Sequence, residues 1–370
     1  MFTKSSVRSF STSIPRALKV STVPTVTSPV SSLKVLVKGA GSKDTPSGLS
    51  HLLASSAFLD TASKSALRLK RESELLGGSY KASVTRDALV LEATFLKEDL
   101  PFFVNAIGST LTETSFKNHE FNELVLPFAT YTGAKANSSP SFEALEELHA
   151  ISFKRGLGQP LYYDGVKSYS AVDLSLFAES LYTSENVEII GSNVVEEDLA
   201  RFVKESPLSE LPAAKNETTA EKPKQKTYTG VESRIRKPGQ TVAVIGLPVA
   251  SADVPTYKLV SAAVVSAIPD TYEATVKADV LSYEQSGLLY VSIASDDAAE
   301  VGSLLKKAAA ALEKASGSSL TKYKPLASYI AGADGSSAKD LESAKTSVKI
   351  PKFNLVVVGD VDSVPLADEL

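Results

Sequence analysis

The chain has 370 residues, a formal net charge of −4 and a hydrophobic fraction of 43%, enough for one large or two medium globular domains. It contains no cysteine and three histidines, His51, His119 and His149. Disulfides, thiolate zinc sites, iron–sulfur ligation and cysteine nucleophiles are thereby excluded, and neither a metal nor another cofactor is expected. A charge this near neutral, with no basic stripe interleaved with aromatics, gives nucleic acid no electrostatic footprint.

The stretch "MFTKSSVRSFSTSIPRALKVST" carries Lys4, Arg8, Arg16 and Lys19 with many hydroxyl residues, and the first carboxylate of the chain is Asp44. That composition reads residues 1–16 as a mitochondrial targeting peptide, because acids would oppose import along the matrix potential. "RSFS" resembles a matrix processing site, cut after Phe10.

Next, "SLKVLVKGAG" alternates as a strand and "PSGLSHLLASSAF" reads as a helix, with Leu49, Leu53 and Ala57 as its core-facing stripe. His51 then falls on the other side, as a solvated or hydrogen-bonded residue. Gly77 and Gly78 permit a tight turn into the strand "SYKASV". "ALVLEATFLKEDLPFFVNAIGSTLTE" is a strand, an acidic helix start and a helix. His119 lies at a helix start in "FKNHEFNELV". In "SPSFEALEELHAISF", Ser139 is a capping residue, Pro140 suits the first turn, and His149 borders the apolar stripe.

The segment "SPLSELPAAKNETTAEKPKQKTYTG" is polar, Pro- and Lys-rich and lacks aromatics until Tyr228, which reads as a linker over 206–229. It separates a first domain, 17–205, from a second, 230–370. The second repeats the order of the first: "QTVAVIGLPV" is a strand, "VPTYKLVSAAVVSAI" a helix, and "LLYVSIASDDAAEVGSLLKKAAAALEKA" a strand followed by a helix with acids at its start. Each half closes alike, with "VEIIGSNVVEEDLARFV" and "LVVVGDVDSVPLADEL" both running from an apolar strand through Gly into an acidic segment. The expected fold class is a duplicated α+β unit, each copy a mixed, mostly antiparallel sheet packed with helices. No apolar run approaches the ~20 residues that span a bilayer.

Candidate chemistry is sparse. "KGAGSKDTPSG" lacks both P-loop and dinucleotide-loop spacing, and no serine stands in a Gly-x-Ser-x-Gly elbow. In a His-x-x-Glu-His zinc peptidase, two histidines one helical turn apart hold the metal and the glutamate activates its water. Here the pattern reads His51-Leu52-Leu53-Ala54-Ser55. Ala54 takes no proton, and Ser55 is a poor ligand for zinc.

Four stretches, "GAGSKDTPSGLSHLLASSAF", "ESELLGGSYKASVTRDALVLEATFLKEDLPFFVNAI", "ISFKRGLGQPLYYDGV" and "FNLVVVGDV", resemble in that order the pitrilysin-type metallopeptidases that include the mitochondrial processing peptidase. Within that family the likeness is greatest to the fungal core subunits of ubiquinol:cytochrome c reductase, respiratory complex III. The resemblance places the first metal histidine on His51, the glutamate base on Ala54, the second histidine on Ser55 and the third ligand near Thr132 in "FATYTGAKA". It therefore implies the peptidase fold without peptidase activity or a bound metal.

The resemblance further implies a non-catalytic core subunit, peripheral on the matrix side of the mitochondrial inner membrane. Such a subunit pairs with core protein 1, touches cytochrome b and other complex III subunits, supports dimerisation of the complex and holds no redox centre. The alternative is the substrate-binding, non-catalytic α-subunit of the processing peptidase. Against it, "IAGADGSS" (330–337) is short and poor in glycine compared with the long glycine-rich loop expected of that subunit.

Overall fold

The structure is a computed structural model and describes residues 18–23, 28–214, 225–268, 274–333 and 338–370. The targeting-peptide reading of 1–16, with its cut after Phe10, lies outside the described residues. So do 215–224 of the linker and 334–337 of "IAGADGSS".

In chain order the first half comprises β1 (Lys19–Val23), β2 (Val30–Lys38), α1 (Leu49–Ser55), α2 (Ala66–Leu75), β3 (Ser79–Val84), β4 (Ala88–Leu96) and α3 (Leu100–Thr112). A short α4 (Asn118–Glu120) runs through a π turn, Phe121–Val125, into α5 (Leu126–Asn137), followed by α6 (Pro140–Phe153), α7 (Ala171–Leu181), β5 (Val187–Ser192) and α8 (Glu196–Glu205). The second half comprises β6 (Glu232–Arg236), β7 (Thr241–Ala250), α9 (Val254–Ala267), β8 (Ala274–Ser282), β9 (Ser286–Ser295), α10 (Ala298–Ala315), α11 (Lys324–Ala333) and β10 (Asn354–Gly359).

The strands form two five-stranded sheets, β1-β5-β2-β4-β3 and β6-β10-β7-β9-β8. Position by position the orders are the same. In each sheet the outer strand pairs parallel to its neighbour, β1 with β5 and β6 with β10, and the other pairings are antiparallel. The duplicated α+β architecture expected from the order of elements is present.

By packing, the chain divides into two compact units. The first takes the chain up to Ala40, Leu52–Leu126, and Ser168 into the linker; the second takes Gly41–His51, Pro127–Lys167 and the chain beyond the linker. Sequence order and packing thus draw different lines. Helix α6 precedes the linker, yet its Ala144, Leu148 and Phe153 pack on Val242, Val244, Val356 and Val358 of β7 and β10. A Cβ added at Gly246 would lie 2.4 Å from Leu148 Cδ1, so glycine there is what lets the helix approach the strand.

The two sheets differ in cover. In β2, Leu33, Val35 and Val37 are fully buried and alternate with more exposed residues, the period-two pattern of a sheet with one packed face. In the first unit α3 packs on β2 and β4, and Phe103 stacks on Phe95 at 4.7 Å between ring centroids. In the second unit α6 covers one face of the sheet while α9 and α10 cover the other. Accordingly "NLVVVG" of β10 is buried at every position.

Local signals mostly act as read. Asp297 caps α10 by accepting from Ala299 N–H at 2.9 Å, and Gly77, at φ +68°, turns the chain into β3. Ser170 and Asp173 form a reciprocal capping box on α7. Ser139 occupies the N-cap position of α6, but its side chain makes no capping bond; Pro140 at the first turn fixes the start instead.

Candidate functional site

Helix α1 is two turns long and buried on nearly every side. Leu49, Leu52 and Leu53 are buried as aliphatic core, and His51 is itself only 6% exposed. The expectation that His51 would be solvated or hydrogen-bonded resolves to the second. A helix this short and enclosed has almost no solvent face, and His51 does not lie on what little there is.

Two segments of the second unit, α5 and the loop carrying Tyr162 and Tyr163, converge on the His51 ring. The backbone N–H of Tyr163 donates to Nδ1 at 3.1 Å. Nε2 lies 3.2 Å from Thr132 Oγ1 on α5, and the Thr132 hydroxyl in turn reaches Phe128 O at 2.9 Å. Tyr162 lies against the ring, 4.7 Å between centroids. Because Nδ1 accepts, the neutral imidazole carries its proton on Nε2 and donates it to Thr132, whose own proton goes to the helix carbonyl. Both ring nitrogens are thereby committed.

Two glycines make this convergence possible. At Gly48, with φ +80°, a Cβ would meet Tyr163 Cδ2 at 2.7 Å; at Gly133 on α5 a Cβ would meet Tyr163 O at 2.6 Å. The 162–163 loop therefore approaches the start of α1 and the face of α5 more closely than any side chain would permit. Burial lowers the pKa of His51 from 6.5 to about 4, since the desolvated imidazolium is disfavoured.

Along α1, Ala54 presents a buried methyl, and Ser55, one turn after His51, is half-buried. Neither supplies a carboxylate or an imidazole. Thr132, placed at the third-ligand position by family resemblance, does meet His51, through a hydroxyl. Among the described residues no group of three or more His, Asp or Glu side chains is arranged to hold a metal ion.

The other histidines are elsewhere. His149 is buried in α6, donating from Nδ1 to Leu145 O at 2.6 Å and accepting from Tyr283 O–H at Nε2, also 2.6 Å; it serves packing. His119 lies in α4 of the first unit. Its neighbour Glu120 is buried, and its carboxyl pKa is raised by that burial and by Asp60. Asp60 itself pairs with Lys117 at 2.6 Å. The structure does not bring the three histidines together.

Sequence reasoning assigned no role to Tyr162 and Tyr163. Their signal was present in the quoted "LGQPLYYDGV", where two adjacent aromatics follow a proline, but only the fold shows which helix they meet.

Comparison with known proteins gives a consistent picture. Residues 19–165 match the family model described as insulinase, peptidase family M16. A Debaryomyces hansenii protein named "Cytochrome b-c1 complex subunit 2, mitochondrial" is 42% identical over 382 aligned residues, covering 100% of both chains. The Saccharomyces cerevisiae protein of the same name is 42% identical over 343, covering 92% of this chain and 93% of its own. An Arabidopsis thaliana protein named as a probable mitochondrial-processing peptidase subunit alpha-2 is 29% identical over only 54% of this chain and 40% of its own. Among solved structures, a Pseudomonas fluorescens peptidase M16 inactive domain superposes with a TM-score of 0.74 at 15% identity, covering 93% of this chain and 96% of its own. That likeness establishes the fold.

Fold and comparisons together define a peptidase-M16-type protein. More narrowly, the chain belongs to the family of cytochrome b-c1 complex subunit 2 proteins.

Proposed function

We propose that the chain is a structural core subunit of mitochondrial respiratory complex III, needed for assembly of the complex that passes electrons from ubiquinol to cytochrome c. It is a subunit of an oxidoreductase without catalysis of its own. The identity to complex III subunits over full length supports this reading, whereas the likeness to a processing-peptidase α-subunit covers about half the chain.

The observation that carries the non-catalytic assignment is the state of His51. Its Nδ1 lone pair accepts from Tyr163 N–H and its Nε2 carries the proton facing Thr132, so neither nitrogen presents a lone pair to a metal. Ala54 and Ser55 stand where a base and a second ligand belong. In this reading His51, Ala54, Ser55 and Thr132 are the positions of a degenerate zinc site.

Core protein 1 and cytochrome b are the proposed partners, within a dimeric complex. The subunit sits peripherally on the matrix side of the inner membrane, after removal of the targeting peptide. The absence of any membrane-crossing helix among the described residues is consistent with that placement.

Deletion of the gene tests the assembly role. Loss of assembled complex III on native gels, with loss of quinol oxidation, is expected; a normal complex in the deletion overturns it. The site is tested by restoration: Ala54→Glu, Ser55→His and Thr132→Glu together should raise zinc content from none toward one equivalent, and wild-type protein holding stoichiometric zinc and cleaving presequence peptides refutes the degenerate reading.

A further inference from the structure

A cavity of about 410 Å³ opens in the first unit beside β1, α8 and the turn Pro207–Glu210. Its wall is mainly aliphatic, with Leu18, Val20, Val203 and Leu208 among the lining residues. Its size is within the roughly 300–1,000 Å³ of small-molecule sites, which combine an apolar wall with a few placed polar groups. Nothing in the M16-type site described above uses it.

One charged group at this cavity, Lys204 in the last turn of α8, has no ion-pair partner among the described residues. Ser184 also lines it and is only 6% exposed. Its backbone N–H is bonded to Pro212 O at 3.0 Å. The hydroxyl oxygen is itself sealed from solvent, so it lies behind the cavity wall and does not face the space. Glu196 lies at the opposite end of α8, in its first turn, with Thr22 Oγ1 at 3.5 Å. Charge along the cavity is therefore polarised, acidic toward the helix start and basic toward its end.

We propose that this cavity binds a single acyl chain with an anionic head group, the chain against the aliphatic wall and the head group at Lys204. At roughly 30 Å³ per non-hydrogen atom, the share of liquid volume one water takes, the space holds on the order of a dozen such atoms. That matches a free fatty acid the size of decanoate or dodecanoate and leaves no room for a two-chain phospholipid. The site is independent of the degenerate zinc motif and of the assembly role.

Photolabelling of the purified complex containing the full chain tests the proposal, using dodecanoate that carries a diazirine on its chain, and the matching alcohol. Wild-type protein should be labelled by the acid on peptides spanning Val203–Leu211. Ala200, half-buried on the cavity wall, offers a way to fill it: Ala200→Trp should reduce labelling by about tenfold, and Val20→Phe does the same from the strand side if the first variant fails to assemble. Lys204→Glu should weaken the acid by about fivefold and spare the alcohol, as loss of one exposed charge contact predicts. Absence of label on 203–211, or labelling undiminished in the filled variants, overturns the site; equal losses of acid and alcohol in Lys204→Glu overturn the anionic head group.

Discussion

The two sheets of this protein have the same strand order and the same parallel outer strand, yet they are built for different surroundings. β2 at the centre of the first alternates buried and more exposed residues, whereas β7 and β10 of the second are apolar nearly throughout and lie between α6 and the α9–α10 layer. The connections after the equivalent central strands differ too. β7 passes into the fourteen-residue α9 through one 3-10 turn, while β2 passes through a ten-residue loop into the seven-residue α1. Duplication preserved hydrogen-bonded topology, which is expensive to alter, and left connections and sheet cover free to diverge. His51 belongs to such a diverged connection.

The largest expected effect breaks the double cover. Leu148→Ala removes the side chain that α6 seats over Gly246 and should destabilise the protein by about 2–5 kcal/mol, while Lys34→Ala, on the less buried face of β2, should stay within about 0.5 kcal/mol. Denaturant melts of the two variants measure the contrast; equal costs would mean the sheets do not differ as described.

Next is His51. His51→Ala leaves the buried Tyr163 N–H without its acceptor and should cost about 1–3 kcal/mol. His51→Asn, whose amide oxygen reaches the Nδ1 position, should recover much of it. Faster hydrogen exchange at the Tyr163 amide in the alanine variant would locate the loss.

The same ring sets a pH dependence. Its folded pKa, about 4, is below the ordinary 6.5, so between those values the unfolded chain takes up a proton that the folded chain refuses. Stability from this group is full above about pH 6.5 and declines as pH falls toward 4. The asparagine variant should show a shallower acid slope over that range in thermal melts.

The smallest effect falls on an outer strand. Arg236 of β6 pairs with Asp362 through two bonds of 2.6 and 2.8 Å, but both side chains are largely exposed, where water and salt screen the attraction. Asp362→Asn should leave the melting midpoint unchanged. Glu188 of β5, nearly buried between Lys19 and Lys38, is the corresponding place in the first sheet where neutralisation should be felt.

Much of this was legible along the chain. The repeat was readable because the elements recur in the same order, and Asp297 capped where an acid at a helix start should. The stripe drawn through Leu49, Leu53 and Ala57 was only half right, because helical periodicity assumes a solvent side and α1 has almost none. Likewise α6 looked like part of the first half, since nothing in "SPSFEALEELHAISF" announces that its apolar stripe lies on strands that first appear at Thr241, far beyond the linker.

The sequence by itself determined the α+β duplication, the exclusion of thiol chemistry, and the replacement of a base and a ligand by Ala54 and Ser55, because these depend on residue identity and local period. Only the tertiary structure decided that His51 is buried and neutral with both nitrogens engaged, that Thr132 meets it, and that α6 belongs to the second sheet. Those outcomes depend on which distant segments share a volume, and glycines at 48, 133 and 246 leave room for contacts that no local pattern records.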